Sequence, residues 1–336
     1  MTMTIKHAAI APLLLALALP AWARVYTFKD WAVACDNIRR CQASGSQAED
    51  GDNPVALLLT RTAGPGSAMA GRLSVADPDD GKIGALTLRV GKLKWTGITP
   101  DQAFAPARAA LLLAAMRDAD AMTLDDGRRR WTLSLAGLKA ALLKIDEIQG
   151  RIGTRGALAR PGDKPESAVP PAPTAPLVAP AATPAARPGD KALLPALLKR
   201  LKAADATCWN EQPDAEQPDA ELYRLGASQL LVLRECGRAA YQSNYKAWIV
   251  DDKPPFRSRA AMPRDEDGKD APLIGAAFER GVLSSYAKGR GIGDCGGGAS
   301  WAWTGGDFQL MSAEEAPQCR GIPGGVPLRT WVSRQH

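Results

Sequence analysis

Six cysteines constrain this chain more than any other feature, because they fall in three close pairs and paired cysteines indicate folding in an oxidising compartment. Six cysteines can pair in about 15 ways, and sequence alone does not choose among them. Proximity favours pairing each cysteine with its near neighbour, and the loop-entropy model then assigns roughly 2 to 3.5 kcal/mol to each bridge. The favoured pairs are Cys35 with Cys41, Cys208 with Cys236, and Cys295 with Cys319.

The first 23 residues have the pattern of a cleaved export signal. Lys6 supplies a positive charge, residues 8–19 are apolar, and Ala21-Trp22-Ala23 has the small-x-small form of a cleavage site. The apolar stretch is too short to span a bilayer, and no later stretch is long enough. We therefore expect a mature protein that starts near Arg24, has no transmembrane segment, and lies in the periplasm or outside the cell.

Residues 159–190 differ in composition from the rest of the chain, because proline and alanine dominate, as in Pro170-Pro171-Ala172-Pro173. Such a stretch is typical of an extended, semi-rigid linker. The segments on either side, residues 24–158 and 191–336, are each long enough to bury a core of their own. The sequence therefore predicts two domains joined by this linker, each with its own disulfide clamp.

Both predicted domains combine dominant strands with a few helices, so the expected fold class is α+β. In the first domain, the alternation along residues 26–35 slips at Lys29-Asp30, which indicates one strand with a bulge. Further strands are predicted at 55–62, 72–76, 83–90 and 131–135, and helices at 106–117 and from 138 to a stop at Gly150. In the second domain, a helix is predicted to begin near Asp190, followed by strands at 221–225, 229–236 and 241–250 and by a hairpin at 300–311 with its turn at Gly305-Gly306-Asp307.

Three stretches resemble a known bacterial family. They are Phe28-Lys29-Asp30-Trp31-x-Val33-x-Cys35-Asp36-Asn37, the helix between Gly137 and Gly150 that leads into Gly153-Thr154, and Lys288-Gly289-Arg290-Gly291-Ile292-Gly293-Asp294-Cys295-Gly296. Together they resemble the envelope family known only as domain-of-unknown-function family 1176, over most of the mature chain. The opening strand is also similar to the start of the invasion-associated locus B proteins, which are small exported proteins linked to host-cell entry. These resemblances imply a compartment and an architecture, and they supply no catalytic residues.

Charge and histidine content exclude several classes of function. The chain has 42 basic and 36 acidic residues, a formal charge of +6. The excess is spread along the chain, whereas nucleic-acid-binding proteins gather Lys and Arg on one face, so no nucleic acid partner is expected. Of the two histidines, His7 lies in the predicted signal and His336 is the last residue. Histidine-dependent catalysis and histidine-ligated metals therefore lack a residue to carry them, and we expect no cofactor or metal.

Two motifs resemble a catalytic site and a calcium site but lack essential parts of each. Carboxylate catalysis is the one kind of chemistry that the sequence leaves open. Ser285-Tyr286-Ala287-Lys288 fits the S-x-x-K pattern, but neither K-T-G nor S-D-N accompanies it. The acidic run at 265–270 lacks the first and last ligands of a calcium loop. Carboxylate catalysis needs two acids at a set separation in space, which sequence does not reveal, and the candidates are Asp294, Glu279 and Asp307.

Trp301 and Trp303 stand two residues apart on a predicted strand, so both rings face the same side of it. If that side is covered, the rings belong to the core, which their large apolar area favours. If it is open, they form a flat platform for stacking on a sugar or a protein. Lys288, Arg290 and Asp294 precede the strand and would form a polar rim, so these five residues are the candidate binding residues.

These features favour a non-enzymatic periplasmic envelope protein that binds a macromolecular partner, either a protein or a cell-wall glycan. A carboxylate-dependent hydrolase acting on envelope polysaccharide is one alternative. A structural or stress-protective envelope protein is the other. The lack of histidine chemistry favours a non-enzyme without deciding the matter, and the sequence fixes neither the partner nor the oligomeric state.

Overall fold

The computed structural model describes residues 25–79, 81–209 and 220–335. The predicted export signal at 1–23 and His336 lie outside the described residues. Within the described part the fold is α+β and rich in strands, as predicted.

The first half of the chain contains two sheets and two helices around one core. The elements are β1 (Tyr26–Phe28), β2 (Trp31–Cys35), β3 (Cys41–Ser46), β4 (Val55–Arg61), β5 (Met69–Val75), β6 (Leu86–Val90), β7 (Leu93–Ile98), β8 (Ala103–Phe104), α1 (Pro106–Met116), β9 (Ala121–Asp125), β10 (Arg130–Ser134) and α2 (Leu138–Ile148). One sheet has the order β1-β2-β3-β4-β5-β8, and the other has the order β10-β9-β6-β7. Both sheets and both helices contribute side chains to the same core, which includes Trp31, Leu88 and Leu142.

Both helices of this half begin and end within one residue of the predicted bounds. Helix α1 begins at Pro106, whose fixed φ suits a first helical position, and it buries Ala109, Leu112 and Met116. Helix α2 follows Gly137, which has φ of 101°. A Cβ at Gly137 would lie 1.8 Å from the Phe28 carbonyl oxygen, so only glycine fits between α2 and β1.

The predicted bulge at Lys29-Asp30 is wrong. Residues 26–35 form two strands, because β1 turns back at Lys29-Asp30 and pairs antiparallel with β2, with Phe28 opposite Trp31. Lys29 adopts φ of 52°, which belongs to a tight turn. A two-residue turn shifts the phase of alternation by the same amount as a bulge, so the sequence pattern does not separate the two.

The second half is a sandwich of two sheets with one helix on the outside. Its elements are α3 (Asp190–Ala204), β12 (Ala220–Arg224), β13 (Gln229–Arg238), β14 (Ser243–Asp251), β15 (Ser258–Ala260), β16 (Leu273–Ile274), β17 (Ala277–Glu279), β18 (Val282–Lys288), β19 (Gly296–Trp303), β20 (Phe308–Ala316), β21 (Leu328–Val332) and, before and after them, β11 (Leu177–Val178) and β22 (Arg334–Gln335). The orders are β12-β13-β14-β15, with β16 beside β14, and β17-β18-β19-β20-β21. Helix α3 covers one face of the first sheet, and the other face packs against the second sheet.

Residues 159–190 run mostly without regular structure, and they lie along the protein. The carboxylate of Asp146 accepts hydrogen bonds from the N–H groups of Leu158 and Ala159 at 2.9 and 2.7 Å. Val169 and Val178 are 2% and 3% exposed, and β11 pairs in parallel with β22. The segment therefore contacts both halves of the chain along its length. The division into two domains at this segment stays a prediction.

The two halves meet at the hairpin that joins β2 to β3. Asp36 closes the hairpin by accepting hydrogen bonds from the N–H groups of Ile38 and Arg40, as expected for a turn residue. Its second oxygen accepts a bond from Arg329 Nε on β21 at 2.7 Å. Asn37 exchanges two hydrogen bonds with the backbone of Val332, both at 2.9 Å. The first disulfide thus holds a hairpin that docks the first half on an edge strand of the second.

The three disulfides confirm the pairing that proximity favours: Cys35 with Cys41, Cys208 with Cys236, and Cys295 with Cys319. Three bridges place the protein outside the reducing cytoplasm. Of the helices in the described ranges, none has both the length and the apolar character needed to cross a membrane.

Candidate binding cleft

A cleft with a volume of about 450 Å³ opens at one end of the second-half sandwich. Its floor is the inner face of the second sheet, where side-chain size falls along β19 from Trp301 through Ala299 to Gly297. The neighbouring strands add Ala287 and Ala313 to the same face. Because these residues are small, the inner face is not filled at this end, and the sandwich stays open.

Two walls border the cleft. One is the loop at residues 263–272, which Trp301 holds in place by donating a 2.7 Å hydrogen bond from Nε1 to the Arg264 carbonyl oxygen. Ser285 anchors the far end of this loop, because its hydroxyl accepts from the Ile274 N–H at 2.8 Å and donates to the Ile274 carbonyl oxygen at 2.9 Å. The other wall is the Cys295–Cys319 disulfide. Both walls are therefore fixed by specific bonds.

The cleft is acidic although the protein is basic overall. Four acidic residues border it, and none of its lining residues in the described ranges is Lys, Arg or His. Alternation along β20 places Glu315 on the cleft face, in the row of Gly297, and turns Glu314 to the opposite face, in the row of Tyr286. Asp265 uses its carboxylate to accept the N–H groups of Asp267 and Lys269. Glu315 and Glu266 are thus the carboxylates available to a ligand.

Glu315 has a perturbed acidity. Partial burial in the cleft raises the pKa of its carboxyl, and the nearby charge of Glu266 raises it further. Both causes disfavour the ionised carboxylate, so a cationic group entering the cleft would lower this pKa again and gain binding energy from doing so.

Of the two alternatives for Trp301 and Trp303, the structure has the core and not the open platform, because each ring is only 1% exposed. Trp303 packs against Phe308 and donates from Nε1 to the Leu225 carbonyl oxygen at 3.2 Å, which ties the two sheets together. Trp301 closes the inner end of the cleft, where only its edge is available. The rings therefore belong to the core, and a sugar has no exposed aromatic face to stack on here.

The three predicted rim residues lie beside the cleft and not in it. Asp294 is 1% exposed and receives two hydrogen bonds from Arg290, at 2.7 and 2.5 Å, and one from the Gly321 N–H at 2.5 Å. Burial by itself would raise the pKa of Asp294, but these donors hold it below its ordinary value. Asp294 therefore fixes the loops that the Cys295–Cys319 disulfide joins. Lys288 is exposed on the outer surface.

The predicted carboxylate candidates do not form a catalytic pair. The eight residues of β19 separate Asp294 from Asp307, a distance of roughly 25 Å at strand rise, whereas glycosidases need about 5 to 10 Å. Glu279 is exposed and pairs with Arg280. Ser285 and Lys288 are three residues apart on a strand, so they face opposite sides and cannot act together.

Among the described residues, Asp294, Cys295 and Cys319 form a group close enough to hold a metal ion. Both sulfur atoms are joined in the disulfide, so neither is a thiolate ligand. The remaining carboxylate is held by Arg290. These residues do not fit a metal site.

A second hollow, of about 510 Å³, lies beside the start of α2. Four charged residues line it, and the ion pair among them, between Asp118 and Lys139, has side chains that are 93% and 74% exposed and 3.6 Å apart, so water screens it. It lacks the apolar floor and the fixed walls of the acidic cleft, which we therefore take as the candidate site.

Sequence reasoning missed the floor of the cleft and Glu315. The hairpin was predicted to begin at residue 300, yet β19 begins at Gly296 and includes three glycines, a residue that is uncommon inside strands. Extending the alternation backward from Trp301 would have put Ala299 and Gly297 on its face, and pairing across the turn would have added Glu315. The signal that could have predicted the cleft floor was the small size of Ala299 and Gly297, which lie on the same face of the strand as Trp301.

Comparison with known proteins places this architecture in a family. The family model described as protein of unknown function (DUF1176) matches residues 25–334. The chain belongs to the DUF1176 family. It is 30% identical over 355 aligned residues to the uncharacterized protein YpfG of Escherichia coli (strain K12), and the alignment covers 97% of each chain. No solved structure matches this DUF1176 protein. The likeness to the invasion-associated locus B proteins stays a resemblance of the opening strand.

Proposed function

We propose that this DUF1176 protein is an exported, periplasmic envelope protein that binds a protein partner in the acidic cleft, through a segment carrying lysine or arginine. The observation that carries the proposal is the charge of the cleft. Its lining contains Glu315 and Glu266 and, among the described residues, no basic side chain, in a chain with a formal charge of +6. A cation is the group that such a site attracts and that removes the cost of charging Glu315.

The floor supports a peptide over a glycan. Small side chains, the disulfide and backbone of the glycine-rich strand line most of the cleft, which suits apolar contact with an extended chain. Glycan binding would use an exposed aromatic face and several hydrogen-bond donors, and the two candidate tryptophans are buried. The segment at 159–190 is held along the protein, so we assign partner binding to this one site.

A carboxylate-dependent hydrolase is the second candidate, and one observation favours it. Glu315 has a raised pKa and lies in an open cleft with a second carboxylate, Glu266, close enough to affect it. A carboxyl with a raised pKa beside a second carboxylate is the pattern of a general acid in glycoside hydrolysis. The substrate would be an envelope polysaccharide. The two candidate functions use the same residues, Glu315 and Glu266. They differ in the ligand, which is a peptide or a polysaccharide, and in whether that ligand is cleaved.

The binding proposal is tested by calorimetric titration of the purified protein with a short lysine–alanine peptide, with a glutamate–alanine peptide for comparison. We expect the lysine peptide to bind, and Glu315→Gln and Glu266→Gln each to weaken it about five- to tenfold, because one attractive charge pair is lost. Glu279→Gln is the matched control, since it removes one exposed carboxylate that does not line the cleft. If all three variants lose the same affinity for the lysine peptide, binding depends on the net charge of the protein and not on the cleft.

A parallel assay separates the two candidates. Purified cell-wall glycan is incubated with the protein, and new reducing ends are counted. Turnover that Glu315→Gln abolishes would establish the hydrolase and overturn the binding assignment. Binding of glycan fragments that survives both glutamine variants would place the glycan on another surface and would rule out the cleft as a polysaccharide site.

A further inference from the structure

Two large apolar side chains stand out on the surface near the cleft. Tyr241 and Ile292 are each 67% exposed. They lie on neighbouring loops, because the Tyr241 ring covers Gly291, where an added Cβ would be 2.8 Å from the ring. Tyr241 and Ile292 therefore form one protruding pair, which we call the loop tip.

The loop tip is held rigidly. Gln242, next to Tyr241, donates from its side-chain amide to the Tyr286 carbonyl oxygen at 2.5 Å and accepts from the Lys288 N–H at 2.5 Å. On the other loop, Asp294 binds Arg290, and Gly293 donates its N–H to the Arg290 carbonyl oxygen at 2.9 Å. Hydrogen bonds thus fix the backbone that presents the two apolar side chains, which lowers the ordering cost of binding.

Cations surround the loop tip and acids lie beneath it. Lys288 is exposed, and the side chains of Arg290 and Arg238 are 49% and 60% exposed. Their carboxylate partners, Asp294 and Glu235, are only 0% and 4% exposed. Residues 288–293 and 237–244 include no Asp or Glu. The two loops therefore present ammonium and guanidinium groups and carry no carboxylate of their own.

We propose that the loop tip docks the protein on a membrane surface that carries anionic lipid headgroups. The isoleucine side chain enters the interface, the tyrosine ring lies at headgroup level with its hydroxyl in water, and the cations contact the headgroups. Two protruding side chains offer far less than the roughly 800 Å² that each partner buries in a stable protein interface, which favours a lipid surface over a protein. Since Gly289 lines the acidic cleft, docking would hold the cleft beside the bilayer.

The test is sedimentation with vesicles of neutral phosphatidylcholine, alone or mixed with anionic phosphatidylglycerol. The protein is purified from the periplasm, and N-terminal sequencing checks that residues 1–23 are gone, because an apolar leader would itself bind lipid. We expect binding to the mixed vesicles that is lost at about 1 M salt. Ile292→Ser should weaken partitioning roughly tenfold, and Lys288→Gln about fivefold.

Leu111→Ser is the matched control, because Leu111 is 62% exposed on α1, far along the chain from the loop tip. It should leave partitioning unchanged, and all variants should keep the wild-type melting temperature, since the changes are at exposed positions. Wild-type protein that stays in the supernatant overturns the proposal, and so does an equal loss for Leu111→Ser and Ile292→Ser. Crosslinking of the loop tip to an envelope protein without vesicle binding would make it a protein interface.

Discussion

The two ends of the second-half sandwich have the same strands and opposite properties. At the closed end, Trp303, Phe308 and Phe278 fill the space between the sheets. At the open end, Ala299 and Gly297 occupy the same face of the same strand, and about 450 Å³ is left unfilled. The difference in side-chain volume along β19 is enough to turn a core into a cleft.

This comparison shows how the cleft arises without any unusual backbone element. The walls are fixed by Trp301, Ser285 and a disulfide, so the open end does not collapse. The charge then comes from single residues at the rim, Glu315 and Glu266. The closed end is packed as a core and the open end carries the proposed binding site, so substitutions at the two ends should affect stability and binding separately.

The largest effect is expected at the closed end. Trp303→Ala removes a ring that is 1% exposed and its hydrogen bond to Leu225, so the free energy of unfolding should fall by about 3 to 5 kcal/mol. Chemical denaturation monitored by circular dichroism measures it. Trp303 does not line the cleft, so peptide affinity below the melting temperature should not change. A loss under about 1 kcal/mol would show that the closed end is not packed as described.

Two neighbouring glycines sharpen the comparison. A Cβ at Gly298 would lie 2.7 Å from the Ser285 carbonyl oxygen and 2.7 Å from the Tyr286 ring, so Gly298→Ala should destabilise the protein by about 1 to 3 kcal/mol. A Cβ at Gly297 would meet nothing closer than 3.4 Å and would point into the cleft. Gly297→Ala should therefore change stability by less than about 0.5 kcal/mol.

The same pair separates stability from binding. Gly297→Ala narrows the cleft, so we expect it to weaken the lysine peptide in the calorimetric titration while its melting temperature stays close to wild type. Gly298→Ala lies on the opposite face and should leave the affinity of the folded fraction unchanged. The reverse result would mean that the two faces of β19 are assigned incorrectly.

Much of the fold follows from local patterns in the sequence. Helix α2 was predictable because its apolar residues repeat at helical spacing and Gly137 and Gly150 flank it. The disulfides followed from proximity, which works here because each bridge closes a short stretch of chain. The turn at Lys29 was misassigned because a tight turn and a bulge shift the alternation of apolar and polar residues in the same way.

The site was much less predictable, because it depends on what covers a strand. Trp301 and Trp303 share a face, as alternation indicated, but only tertiary packing shows that the face is inside. Glu315 and Glu266 belong to a strand and a loop that are distant in sequence, and their proximity comes from the sandwich. Asp294 was expected to form a polar rim because it precedes the strand of Trp301 and Trp303, whereas its carboxylate binds the loops beside the disulfide.

The smallest expected effect, and the most direct probe of the open end, is the pH dependence of stability at Glu315. Its pKa is raised above 4.5 in the folded protein, so the folded state keeps this proton to a higher pH than the unfolded state does. Stability from this group is therefore present below about pH 4.5 and is lost as pH rises through the folded pKa.

Glu315→Gln should remove that loss and stabilise the protein at neutral pH, by under about 0.5 kcal/mol because the side chain is partly exposed and solvent screens it. Denaturation curves from pH 4 to 8 for wild type, Glu315→Gln and the control Glu279→Gln, which lies outside the cleft, measure this. If Glu315→Gln is less stable than wild type at neutral pH, the carboxylate already has a stabilising partner in the folded protein. A cationic ligand would then gain little from binding to it, which would contradict the proposed role of Glu315.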